Sequence, residues 1–117
     1  MPTNETIVRG AFMHPALSEQ FTEAAWVKRT TKSQLLFDEL GALVTDPDAY
    51  AHEEVPASGP VKFHANFDPE LWAAVERAAA DWSVPLGHVV RVAIARAIKR
   101  SGLTVPSTLK PLNHKTV

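Results

Sequence analysis

The chain has 117 residues and a mass of 12.8 kDa, 45% of them hydrophobic and 21% charged, which suits one compact domain or two small modules sharing a core and excludes most large catalytic scaffolds. A formal net charge of -1 and a pI near 6.5 give no global preference for nucleic acid or acidic membranes, although such a sum can hide a local patch. With no cysteine there is no disulfide framework, thiolate zinc site or cysteine nucleophile. That composition fits a cytoplasmic protein. The first residues lack a basic segment and apolar run, and no apolar stretch approaches the roughly 20 residues of a membrane span, so the expectation is a soluble protein without membrane contact.

The predicted elements begin with a strand over residues 6–13. His14 and Pro15 then open a helix carrying Leu17, Phe21, Ala24 and Ala25, with His14 as a poor cap. Thr30 and Thr31 cap a second helix bearing Leu35, Leu36, Leu40 and Leu43. Residues 1–45 hold four basic and five acidic side chains. Residues 46–60 carry four acids, three prolines, a glycine and no Lys or Arg, and read as an acidic linker in which Glu53 and Glu54 are solvated.

Beyond the linker, residues 61–67 alternate with period two, placing Phe63, Ala65 and Phe67 on one face and Lys62, His64 and Asn66 on the other. Asp68 is placed to cap the next helix, Pro69 fits its first position and Glu70 complements its positive end. Leu71, Trp72, Val75, Ala78, Ala79 and Trp82 recur at helical spacing until Ser83-Val84-Pro85 interrupts. Val89, Val90, Ala93, Ile94, Ala97 and Ile98 form a last stripe that Ser101-Gly102 stops. Residues 61–117 hold eight basic and four acidic side chains, with Arg91, Arg96, Lys99 and Arg100 crowded into one helix. The near-neutral total conceals a basic C-terminal half. Residues 102–117 form a tail with two prolines and no periodicity.

An offset of 54 brings the two halves into register: Pro15 falls on Pro69, Leu17 on Leu71, Ala24-Ala25 on Ala78-Ala79, and the apolar positions of the later helices coincide. The same offset matches Ala11 and Met13 to Ala65 and Phe67, which leaves Val8, Gly10 and Phe12 on the outward face of the first strand. One strand-helix-helix unit of about 40 residues makes too small a core, so two copies are needed.

Residues 62–71 (Lys-Phe-His-Ala-Asn-Phe-Asp-Pro-Glu-Leu) and 86–94 (Leu-Gly-His-Val-Val-Arg-Val-Ala-Ile) resemble the strand, capped first helix and second-helix signature of the ribbon-helix-helix family of DNA-binding proteins, and residues 31–36 echo that signature. Pro85 and Gly87 depart from it by standing where the family commonly places serines, whereas Ser33 keeps a hydroxyl at the position matching Gly87. The resemblance implies a mainly α fold with short β-strands, arranged as a tandem ribbon-helix-helix (β-α-α-β-α-α). It comprises a divergent first repeat at 1–45, the linker at 46–60, a second repeat at 61–101 and the tail at 102–117. The strands would pair either within one chain, as a pseudo-dimer, or with a second chain, as an interlocked dimer. A flexible linker of 15 residues spans roughly 20 Å, which permits the first.

In that family the two-stranded ribbon enters the major groove and reads base edges. The resemblance therefore implies base contacts from Lys62, His64 and Asn66, and phosphate contacts from Thr31, Lys32 and Ser33 at one helix start and from Leu86, Gly87 and Arg91 at the other, where amides and the helix dipole favour anions. Arg96, Lys99 and Arg100 would add electrostatic attraction. The plainer reading of Lys62, His64 and Asn66 is a solvated strand face, and that of the arginines a solvated helix face. Trp26, Trp72 and Trp82 read as core or edge packing rather than base-stacking platforms.

No Gly-rich phosphate loop, HExxH pair or serine elbow supports an enzyme, and the five histidines are scattered without ligand spacing, so no catalytic residue, metal, cofactor or small-molecule substrate is expected. The expected function is a sequence-specific regulator of transcription, a repressor of bacterial or phage type that binds double-stranded DNA. The alternative is a protein-binding module of the same fold, an antitoxin-like subunit or an inhibitor of a cellular protein, using Val8, Phe12 or the tail. Self-association is compatible with both.

Overall fold

A computed structural model of the chain describes residues 5–51, 53, 54 and 56–106. The two alternating segments form strands β1 (Ile7–Met13) and β2 (Val61–Phe67), which pair antiparallel in one two-stranded sheet. Each strand leads into two helices, α1 (Pro15–Lys28) and α2 (Lys32–Thr45) in the first half, α3 (Pro69–Trp82) and α4 (Leu86–Arg100) in the second. A short 3-10 turn at Pro47–Tyr50 lies between the halves. The fold is thus a mixed β-α-α-β-α-α arrangement, and its ribbon is made within a single chain.

The sequence repeat carries into the geometry. Strands and helices of the second half start 54 residues after their counterparts, at Val61 against Ile7, Pro69 against Pro15 and Leu86 against Lys32. The strand ladder centres on Gly10 opposite His64, themselves 54 apart, and runs from Ile7 opposite Phe67 to Met13 opposite Val61. A two-fold axis through the ribbon centre gives that register. The ends of α1 and α3 match too: Arg29 and Ser83 both adopt φ 58, ψ 46, and the amides of Thr30 and Val84 each close at 3.0 Å on the carbonyls of Ala25 and Ala79.

Helix starts follow the local chemistry. Thr31 Oγ1 accepts from the Gln34 amide at 3.0 Å and Asp68 Oδ2 from the Leu71 amide at 3.3 Å. His14 also caps, its Nδ1 accepting from the Ala16 amide at 3.0 Å. Pro85 offers α4 no side-chain cap.

The core lies between the ribbon and the crossed helices. Most of α4 is buried, including Val89, Val90, Val92, Ala93, Ile94, Ala95, Ala97 and Ile98, and it packs on α1, α2, α3 and β1. A helix with so wide an apolar face belongs at the centre of its fold. Inward residues of β2 meet aromatic partners: Phe67 sits edge-on between Phe37 (5.0 Å) and Trp72 (4.9 Å), and Phe63 packs on Phe21 at 5.3 Å.

Residues 46–60 correct the expectation of a free spacer. Tyr50 is buried and its hydroxyl donates to Glu39 on α2. Arg100 Nε lies 3.1 and 3.0 Å from the two Glu39 oxygens, and its Nη2 donates to the Tyr50 hydroxyl at 3.3 Å. Arg96 covers the Tyr50 ring at 4.6 Å, donates to Glu53 at 3.0 Å and to the Ala49 carbonyl at 2.8 Å. Lys99 bonds the other Glu53 oxygen. Glu53 is therefore paired rather than solvated, because the acidic segment folds onto the basic face of α4. Alone, burial would raise the Glu53 pKa, but hydrogen bonds from Lys99 and Arg96 and their charges outweigh it and hold the carboxyl below its ordinary 4.5.

Candidate nucleic-acid interface

Strand alternation sets the outward face of the ribbon. Lys62, His64 and Asn66 all project from β2 to solvent on the side away from the helices. Beside them on β1 stand Val8, 57% exposed, and Phe12, 50% exposed, with side-chain-free Gly10 between. The cross-strand pairs on this face are Val8 with Asn66, Gly10 with His64 and Phe12 with Lys62. Lys62 Nζ rests 5.9 Å from the centre of the Phe12 ring. Val8, Gly10, Phe12, Lys62 and His64 line a notch of about 250 Å³ over the ribbon centre.

Arg9 is a cation the sequence reading did not single out. Its position on β1 alternates toward the helices, where its counterpart Phe63 is packed, yet Arg9 is exposed and donates to the Val8 carbonyl at 2.8 Å. Its period-two position concealed it: alternation alone assigns that site to the core.

The two helix starts differ. At α2, Thr31 is exposed, Lys32 and Ser33 are half-buried, and Lys32 Nζ lies 5.7 Å from the Phe63 ring centre. The amides of Lys32 and Ser33 fall before the first intrahelical bond and are free in principle to meet an anion. At α4, Leu86 and Gly87 are half-buried, and a Cβ at Gly87 would stand 2.9 Å from Arg91 Nη1. Glycine there leaves room for the Arg91 guanidinium. Arg91 turns inward: Nε donates to the Pro56 carbonyl at 3.0 Å and Nη1 to the Phe12 carbonyl at 3.2 Å. Burial lowers its pKa, and burial followed by the Arg91 charge holds His88 below its ordinary 6.5.

Arg96, Lys99 and Arg100, expected to attract nucleic acid, pair with acids of the protein itself instead, Arg96 and Lys99 with Glu53 of the linker and Arg100 with Glu39 of α2, which compete for the same charges. Trp26 corrects another expectation. It is 77% exposed, beside Val27 at 47%, whereas Trp72 is buried and Trp82 half-buried. Trp26 follows Ala24 and Ala25 of the buried stripe and so points off it. With Arg29, Thr31 and Gln34 it borders an open groove between the end of α1 and the start of α2.

Among the described residues no group of three or more His, Cys, Asp or Glu could hold a metal ion, and no helix is long and apolar enough to cross a membrane. The tail beyond residue 106 lies outside the described residues, and with it most of the expected tail contact. Comparison with family models, curated proteins and solved structures found no match to this chain.

Proposed function

We propose that the chain is a tandem ribbon-helix-helix protein that binds double-stranded DNA in a sequence-specific way and acts as a repressor-type regulator of transcription. The observation that carries this reading is the intrachain ribbon, whose outward face exposes Lys62, His64 and Asn66 around a centre kept low by Gly10. A ribbon of this width fits the major groove. Lysine matches guanine O6 and N7, asparagine matches adenine N6 and N7, and histidine donates or accepts. Phosphate is held by the α2 start at Thr31, Lys32 and Ser33 and by the Leu86 and Gly87 amides of α4, while Arg91 would first have to leave its two carbonyls. Unlike strands and unlike helix starts fit an operator without palindromic symmetry.

The test is enrichment of a randomised duplex pool by the protein and by a variant carrying Lys62→Ala, His64→Ala and Asn66→Ala. The reading expects one enriched sequence that the variant loses. No enrichment at low salt contradicts it.

A second reading, a protein-binding module of the same fold, is favoured by one observation: Trp26 and Val27 are exposed at the end of α1 while three of the cations of α4 are engaged by Glu53 of the linker and Glu39 of α2. Salt separates the two, since phosphate contacts weaken steeply as salt rises and apolar contacts do not.

A further inference from the structure

The outward ribbon face is half apolar, and DNA reading through polar side chains leaves that half without a role. Val8 and Phe12 keep 57% and 50% of their surface in solvent although both lie on a strand whose other face is the core. They stand symmetrically about Gly10, each directly opposite a polar reader, Val8 opposite Asn66 and Phe12 opposite Lys62. Directly opposed side chains in an antiparallel pair are about 5 Å apart, close enough to meet the two bases of one pair or of adjacent pairs.

The apolar group that a major groove presents at base edges is the C5 methyl of thymine, and it sits beside the adenine N6 and N7 atoms that asparagine recognises. We infer that Val8 and Phe12 read thymine methyl groups, with Val8 and Asn66 together recognising one A·T pair. This rests on the DNA-binding reading and deepens it by naming what the first strand recognises. Four residues of extended strand separate Val8 from Phe12 by about 13 Å, so the two methyls lie on the order of four base steps apart, either side of the position faced by His64. Gly10 contributes no side chain at that centre, where a Cβ would strike the Phe63 carbonyl oxygen. Phe12 also supports the Lys62 ammonium over its ring, so its loss weakens the neighbouring polar contact as well.

The experiment uses the duplex enriched from the randomised pool and replaces each thymine in turn by deoxyuridine, which removes the methyl and leaves base pairing intact. Two positions are expected to weaken binding by about fourfold each, the size of one buried methyl group. The Val8→Ala variant is expected to lose sensitivity at one position and Phe12→Ala at the other; both side chains are exposed, so folding is unaffected, which circular dichroism checks. An enriched duplex whose binding is indifferent to every thymine replacement overturns methyl readout and leaves DNA binding standing. A pool without any enriched duplex overturns both.

Discussion

Gly10 and Phe63 bring the two strands closer than a side chain permits: a Cβ at position 10 would lie 1.9 Å from the Phe63 carbonyl oxygen and 2.7 Å from the His64 Cα. Both obstacles are backbone, so no rotamer change relieves them. Gly10→Ala is expected to destabilise the fold by about 3 kcal/mol through forced separation of the strands. Gly41, inside α2, has nothing within 4 Å of the corresponding position. Gly41→Ala should therefore stabilise the protein by about 0.5–1 kcal/mol. Urea unfolding of the two variants beside the parent checks the opposite signs.

The Glu39, Tyr50 and Arg100 cluster joins α2, the linker and α4. Tyr50→Phe removes the hydroxyl's two hydrogen bonds, the one it donates to Glu39 and the one it accepts from Arg100, and is expected to cost about 1–2 kcal/mol. Glu39→Ala leaves the buried Tyr50 hydroxyl with only Arg100, which can donate to it but not accept its proton, and should cost about 1–3 kcal/mol. Equal unfolding midpoints for both variants and the parent would show that the linker is not fastened there.

Acid should loosen the same linker. Glu53 has its folded pKa held below 4.5, so its contribution is complete above that value and disappears as pH falls from 4.5 through the folded pKa. His88, held below 6.5, acts in the same direction in a higher window: the unfolded chain takes up its proton first, and stability falls as pH drops below 6.5. Unfolding free energies measured from pH 8 to pH 3 are expected to decline in two steps. Glu53→Gln should flatten the lower step and His88→Asn the upper one.

Trp26 is the exposed member of three tryptophans. Iodide should quench a large part of the emission, and Trp26→Phe should remove most of the quenchable signal while changing stability by less than about 0.5 kcal/mol. Unchanged quenching in the variant would place Trp26 in a covered position.

Much of the fold was legible in local pattern. The period-two runs before His14 and Asp68 gave the strands, the interruptions at Thr30-Thr31 and Ser83-Val84-Pro85 gave the helix breaks, and the offset of 54 assigned Val8, Gly10 and Phe12 outward as found. The docked linker was not legible, because its ties join residues far apart, Glu53 to Arg96 and Pro56 to Arg91, and a run of acids carries no record of which cations it will meet. Trp26 was misread from residue type when its helical phase, just off Ala24 and Ala25, pointed to solvent. Arg91 illustrates the limit at the candidate site: its spacing fits a phosphate contact, while its partners are set by tertiary approach to Phe12 and Pro56.

Contact of the ribbon face with DNA is open to direct observation by following backbone amide resonances of the labelled protein as the enriched duplex is added at low salt. The largest changes are expected at residues 8–12 and 62–66, with further changes at Lys32 and Ser33. Changes confined to the surroundings of Trp26, or none at all, would contradict it.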